Sequence, residues 1–178
     1  EHVSATVHYI ADFSAVAVAR MGEIADRRLG DRRGAFTAVV ADATGPQPRP
    51  PSDLSVDSGT GGFELVLLVY LHLPPEQWRA ALAAAVDAAG PGGAVLVVAH
   101  ALRNLTEGVG GPQDPGILLD PEAVVDSAAG LPVDVELAEL RERVVPGADR
   151  PALDSVVPPR QRRPSRLAGS GPRRAANP

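Results

Sequence analysis

The chain has no cysteine among its 178 residues. Disulfides, thiolate metal sites and a cysteine nucleophile are thereby excluded. Lysine is absent too, and all 17 basic residues are arginine. A Walker A loop and a Schiff-base lysine both need that residue, so those chemistries are excluded as well. Aromatics make up only 3% of the chain against 44% hydrophobic residues, so the core must be aliphatic. No stretch reaches the ~18 consecutive apolar residues of a membrane helix, and no signal peptide is legible. A cytoplasmic location is the expectation. Charge of one sign is missing at the end: residues 158–178 hold six arginines and no acid. The whole chain carries −5, which leaves −11 for residues 1–157. The expected layout is an acidic domain over 1–157 and a disordered Arg/Pro-rich tail over 158–178.

What is present centres on Phe63 to Leu105. Leu65 to Leu71 is a continuous apolar run, short enough for a strand buried on both faces. Pro74 and Pro75 end it and can open a helix. Trp78, Ala81, Leu82, Ala85, Val86 and Ala89 then recur at helical spacing and form one apolar face. Gly90-Pro91-Gly92-Gly93 stops the helix. Ala94 to Ala99 is a second short apolar run. Strand, helix and strand in this order make a βαβ unit, whose parallel strands require the crossover.

The flanks extend the pattern. Residues 6–11 read as a short strand, after which Ser14 is a natural helix N-cap. Phe13, Val16, Ala17, Met21 and Ile24 can share one helix face, which Gly30 can close. Residues 35–41 read as another strand, and Gly45 to Gly62 as loop. Leu102 to Gly116 is a long glycine- and proline-rich connection. Asp120 and Pro121 open a short helix. Residues 131–145 read as one long strand and 152–157 as a last one. Helices alternate with strands until two strands follow without a helix, so an α/β parallel sheet with an antiparallel edge is expected.

Tyr70-Leu71-His72-Leu73-Pro74, a helix, Pro91-Gly92-Gly93 and a hydrophobic strand together resemble the middle of a class I S-adenosylmethionine-dependent methyltransferase. The loop from Arg103-Asn104-Leu105-Thr106-Glu107 to Asp114-Pro115 is similar to a bacterial small-molecule subgroup of that family. The resemblance runs from about Thr6 to Val157. It implies a Rossmann-like methyltransferase sheet of order 3-2-1-4-5-7-6. On that mapping the central first strand is missing, and the resemblance implies N-terminal truncation. No Gly-x-Gly-x-Gly or Gly-x-Gly-x-x-Gly follows a strand here, although the family holds the methionine part of its cofactor with such a turn. Gly59, Gly61 and Gly62 precede a strand, and Gly108, Gly110 and Gly111 belong to the late loop. The function implied is methyl transfer from S-adenosylmethionine to a small-molecule acceptor, impaired by the missing motif. The alternative is a non-catalytic remnant of the fold that acts as a binding module. A nicotinamide-dependent oxidoreductase shares the βαβ units but not these motifs.

Ligands of open α/β sheets bind beyond the carboxyl ends of the strands. Asp12 and Asp42 stand at two such ends. A carboxylate there suits ribose hydroxyls, and a turn acid or helix cap is the plainer reading of each. The resemblance assigns cofactor contacts to Asp12, Phe13, Asp42, Ala43 and Tyr70. It places the reacting centre at Tyr70 and His72, where His72 is either a proton acceptor or a hydrogen-bonded strand-end histidine. His100 carries the same ambiguity. Nothing in the spacing fixes a His72/His100/Asp114 metal site, and none is expected. Gly108 to Pro115 is either a closing lid or a surface loop. Asn104-Leu105-Thr106 matches a glycosylation sequon. The arginine tail lacks the aromatics and folded context of a nucleic-acid site, so a small molecule is the expected partner, with neither nucleic acid nor membrane.

Overall fold

The computed structural model describes residues 8–30, 36–47 and 62–163. The beginning of the first expected strand, the loop beyond residue 47 with Gly59 and Gly61, and the tail from residue 164 lie outside the described residues.

The first unit is β1 (His8–Asp12), α1 (Ala15–Leu29) and β2 (Phe36–Val40). Ser14 caps α1 as its residue type dictates: its Oγ accepts from the Ala17 N–H at 3.2 Å. β1 and β2 pair in parallel, with His8 opposite Phe36 and Asp12 opposite Val40. The expected apolar face of α1 is not a buried one. Phe13 and Val16 are 84% and 80% exposed, Ile24 is also exposed, and Ala25 is the buried residue of this helix. Helical spacing aligned these side chains, but only Ala17 and Met21 of the face are half-buried, while Phe13, Val16 and Ile24 stay exposed.

The second unit is β3 (Leu65–Val69), α2 (Pro75–Ala89) and β4 (Ala94–His100), with β3 and β4 parallel. All six apolar positions spaced along α2 are buried, led by Trp78 at 1% and Leu82 at 0% exposure. They pack on Val95, Val97 and Ala99, which point inward from alternate positions of β4. Gly93 lets backbone meet backbone at the turn between them. A Cβ there would stand 2.2 Å from the Ala89 carbonyl oxygen and 2.5 Å from that of Phe63.

β3 corrects an expectation. Its burial alternates, and Leu65, Leu67 and Val69 are 53%, 55% and 50% exposed. A continuous apolar run predicts burial on both faces only where neighbours cover both. Here α2 covers one face, and no strand pairs β3 on the side away from β4 among the described residues. β1 and β2 form a separate two-stranded sheet. Tyr9 and Phe63 meet with ring centroids 5.6 Å apart, which brings the start of β1 near the entry to β3.

Beyond β4, the long connection contains a single helical turn, α3 (Asn104–Glu107), and a 3-10 turn at Pro115–Ile117. α4 (Pro121–Ser127) follows. Asp120 precedes α4 but makes no side-chain cap; its Oδ1 accepts the Arg103 N–H at 3.2 Å instead. The long strand expected over 131–145 is two pieces, β5 (Val133–Asp134) and β6 (Glu139–Arg143). They separate because they serve different partners: β5 pairs with β8 (Arg160–Gln161), and β6 with β7 (Ala152–Val157). β7 runs antiparallel to β4. The α/β class with an antiparallel edge is therefore observed, in the order β3-β4-β7-β6. The ordered chain continues past Val157, where the sequence reading ends the domain. Arg160 pairs with Ala94, and the Val95 N–H donates to the Pro159 carbonyl at 2.8 Å. Composition suggested a solvated segment there, but the open edge of β4 supplies partners.

Candidate functional site

The carboxyl ends of β3 and β4 converge on one buried carboxylate. Asp154 sits on β7 directly opposite His100 of β4, and is 4% exposed. Its Oδ2 accepts the Tyr70 hydroxyl at 2.8 Å and Arg143 Nε at 2.7 Å. Its Oδ1 takes Arg143 Nη2 at 3.4 Å and lies 3.3 Å from His100 Nδ1. That last approach is too poorly aligned for a hydrogen bond, and Nδ1 is otherwise buried without a partner. A buried carboxylate is tolerable only when it is paired and hydrogen-bonded. Arg143 from β6 and Tyr70 from the end of β3 supply those partners.

The rings around Asp154 stack. Tyr70 and His100 have centroids 4.8 Å apart, and His72 and His100 are 5.5 Å apart and 8° from parallel. The Arg143 guanidinium carbon lies 5.5 Å from the Tyr70 ring centre. Tyr70 adopts φ +52°, a left-handed conformation that costs a non-glycine residue ~1–2 kcal/mol. The Tyr70–Asp154 hydrogen bond and the ring contacts hold it there.

Burial lowers the proton affinity of both imidazoles. His72 is further lowered by His100 nearby. For His100, Asp154 partly offsets the burial. Burial is also the main cause that pushes the Tyr70 phenol above its usual range, with the hydrogen bond to Asp154 second. At neutral pH these effects favour two neutral imidazoles beside a protonated phenol.

A second group stands at the carboxyl ends of β1 and β2. Asp12 Oδ1 accepts the Ser14 N–H at 2.7 Å. Asp42 Oδ1 accepts both the N–H and the hydroxyl of Thr44 at 2.8 Å, which holds its carboxyl below the usual range. Both are thus turn acids as the plainer reading has it, and among the described residues no hydrogen bond takes the second oxygen of either. Gln47 Nε2 bonds to the Asp42, Ala43 and Gly45 carbonyls and shapes the loop around Ala43. Phe13 stands open beside Asp12. The residues proposed for the site therefore fall into two groups, Asp12, Phe13, Asp42 and Ala43 on one sheet and Tyr70 with His72 on the other.

Asp154, Arg143 and Asn104 were not found by sequence reasoning. Asp154 had a signal, since it interrupts the apolar run of 152–157. Asn104 is 2% exposed, which makes it a structural residue and not a glycan acceptor. Its Oδ1 accepts the Leu153 N–H at 2.7 Å, and its Nδ2 donates to the Gly110 carbonyl at 2.8 Å. It thereby anchors the glycine loop to β7. Asp114 bonds within its own turn, to the Gly116 N–H at 2.8 Å. No three His, Asp or Glu side chains converge as metal ligands among the described residues. Two clefts lie elsewhere. One of about 550 Å³ is lined by Val125, Leu131 and Arg162, and one of about 310 Å³ by Trp78, Arg79 and Leu119. No described helix is long and apolar enough to cross a membrane.

No protein family's sequence model matches the chain, and no curated protein matches it. Solved structures do. A SAM-dependent methyltransferase (SAM, S-adenosylmethionine) from Methanosarcina mazei is similar with a TM-score of 0.60 at 12% identity, over 91% of this chain and 86% of that one. The N-methyltransferase NodS from Bradyrhizobium japonicum follows at 0.56 and 12%, over 86% and 72%. The magnesium protoporphyrin IX methyltransferase from Synechocystis, solved with bound SAH (S-adenosylhomocysteine), gives 0.57 and 11%, over 87% and 64%. The chain shares its fold with these methyltransferases. At these identities the likeness establishes the fold alone.

Proposed function

We propose that this chain carries the adenosine side of a SAM-dependent methyltransferase for a small-molecule acceptor, in a cytoplasmic setting. The observation that supports this best is the register of β1 and β2. Parallel pairing with Asp12 opposite Val40 brings Asp12 and the Asp42 turn to one sheet edge. Asp12 would accept from the ribose hydroxyls and Asp42 from the adenine amino group, with Phe13 and Ala43 beside the base. Tyr70 and His72 would face the acceptor. The cofactor, when bound, supplies an activated methyl group on a sulfonium.

The fit is partial. The adenosine end has two carboxylates with an oxygen to spare, but no glycine-rich turn follows a strand to take the methionine end. In the same proposal, β1 and β2 are the second and third strands of the methyltransferase sheet. β3, β4, β6 and β7 are its fourth, fifth, sixth and seventh, and no strand among the described residues takes the central first place. The half-exposed Leu65, Leu67 and Val69 and the unpaired side of β3 support that reading. An O-methyltransferase from neocarzinostatin biosynthesis, 21% identical, was solved with SAM and 2-hydroxy-5-methyl naphthoic acid. It gives a small aromatic hydroxy acid as the first acceptor class to assay. The missing glycine turn also favours a second reading, a non-catalytic binding module.

Titration calorimetry tests the proposal. If only the adenosine end is held, SAH and adenosine bind with affinities within about threefold of each other. Asp12→Ala then weakens both about tenfold, the equivalent of one strong hydrogen bond. Micromolar SAH binding with no adenosine binding would refute it. Turnover of an aromatic hydroxy acid would exclude the non-catalytic reading.

A further inference from the structure

Two histidines stack at the end of the β3–β4 pair, and their surroundings differ. His72 has its Nε2 buried without a partner. His100 has a carboxylate behind it, Asp154 Oδ1 at 3.3 Å from Nδ1. Asp154 is fixed from three further directions: by Tyr70 at the end of β3, by Arg143 on β6 and by the β7 backbone. A carboxylate balanced by Arg143 is acceptor-only. The proton on His100 therefore belongs on Nδ1, because a lone pair there would face Asp154 in a buried site. Asp154 stands close to Nδ1 without an aligned hydrogen bond, and a carboxylate facing one imidazole nitrogen is enough to set which of the two carries the proton. Nε2 is left as a bare acceptor, with no hydrogen-bond partner among the described residues.

The same ring is covered by glycine. A Cβ on Gly111 would lie 3.0 Å from His100 Cγ, Cδ2 and Nε2. Gly110 and Gly111 both have left-handed φ, +72° and +76°. Gly111 thus approaches the imidazole more closely than a residue with a Cβ could without a shift, and Asn104 pins the loop at the Gly110 carbonyl. We propose that Asp154 and His100 form a proton-accepting pair under the glycine loop, with Asp154 positioning the ring so that Nε2 receives the hydroxyl of a small phenol-like molecule. The methyl acceptor of the preceding section would be such a molecule, and to that extent the inference rests on that reading. It departs from it in choosing His100 over His72.

Phenol alone is the probe, with no methyl donor present, so the outcome does not depend on whether SAM binds. Long-range proton–nitrogen spectra of the chain with ¹⁵N-labelled histidine report the tautomer of each ring. The expected result is His100 in the Nδ1–H form, with phenol shifting its Nε2 resonance and leaving His72 in place. Asp154→Asn makes His100 a mixture of tautomers and weakens phenol binding about tenfold, on the scale of one hydrogen bond. His100→Gln, which leaves the Asp154–Arg143–Tyr70 contacts intact, gives the same loss should the first variant fold poorly. An Nε2–H tautomer in the unaltered chain would overturn the proposal. So would phenol shifts confined to His72, or phenol affinity within twofold of the original in His100→Gln.

Discussion

Replacing Asp154 by alanine is the sharpest probe of how this site is held together. The carboxylate is 4% exposed and takes the Tyr70 hydroxyl at 2.8 Å and Arg143 Nε at 2.7 Å. A hydrogen bond to a charged group contributes ~1.5–3 kcal/mol. The Tyr70 bond is part-buried but ends on the buried carboxylate, so it is counted in this range. The Arg143 side chain is 45% exposed and regains water when released, which reduces its share to ~0.5–1 kcal/mol. The expected loss is therefore ~2–4 kcal/mol. In a chain of this size that lowers Tm by ~5–15 °C. Asp154→Asn keeps one acceptor oxygen and should lose about half as much. Urea unfolding followed by circular dichroism measures both. A double-mutant cycle with Tyr70→Phe isolates the shared bond, with an expected coupling of ~1–2 kcal/mol. Asp154→Ala within ~0.5 kcal/mol of the parent, or more stable, would refute the reasoning. It would mean that the cost of burying the carboxylate cancels everything its partners return.

Acid should destabilise the fold through the same cluster. The folded-state pKa of His72 and of His100 is depressed, so their contribution is present above the ordinary imidazole value of ~6.5 and is lost as pH falls through the folded values. The urea midpoint should fall as the pH is lowered below about 6.5, and the double variant His72→Gln/His100→Gln should flatten that slope; an unchanged slope would count against it. Gly93→Ala should destabilise by several kcal/mol, because its Cβ meets two backbone oxygens that no rotamer change can move; a melting temperature equal to the parent's would show that the turn can open.

Much of the fold was legible because it is local. The α2 stripe from Trp78 to Ala89 is a repeat within a few turns, and each of its positions is buried where the spacing puts it. Ser14 caps α1 by a bond that spans three residues. The prolines and glycines bounding β3, α2 and β4 act on their own φ angles, so they mark boundaries in any context. Legibility failed where an outcome depended on a neighbour far along the chain. Phe13, Val16, Leu65 and Leu67 have the spacing and apolarity of core residues, yet they are exposed, because burial needs a covering element that periodicity does not name.

The site shows the same division. The sequence by itself determined that Asp12 and Asp42 end parallel strands, that Tyr70 and His72 end another, and that neither cysteine nor lysine chemistry is possible. Tertiary structure alone brought Tyr70 to Asp154 across 84 residues and Arg143 to it across 11. It also split the 131–145 segment into β5 and β6 and drew Arg160–Gln161 into the sheet. The physical reason is that helix spacing, caps and turns act over a few residues. The partner of a buried carboxylate is set instead by which strands pair and in what register, and many sequences with the same local pattern would pair differently.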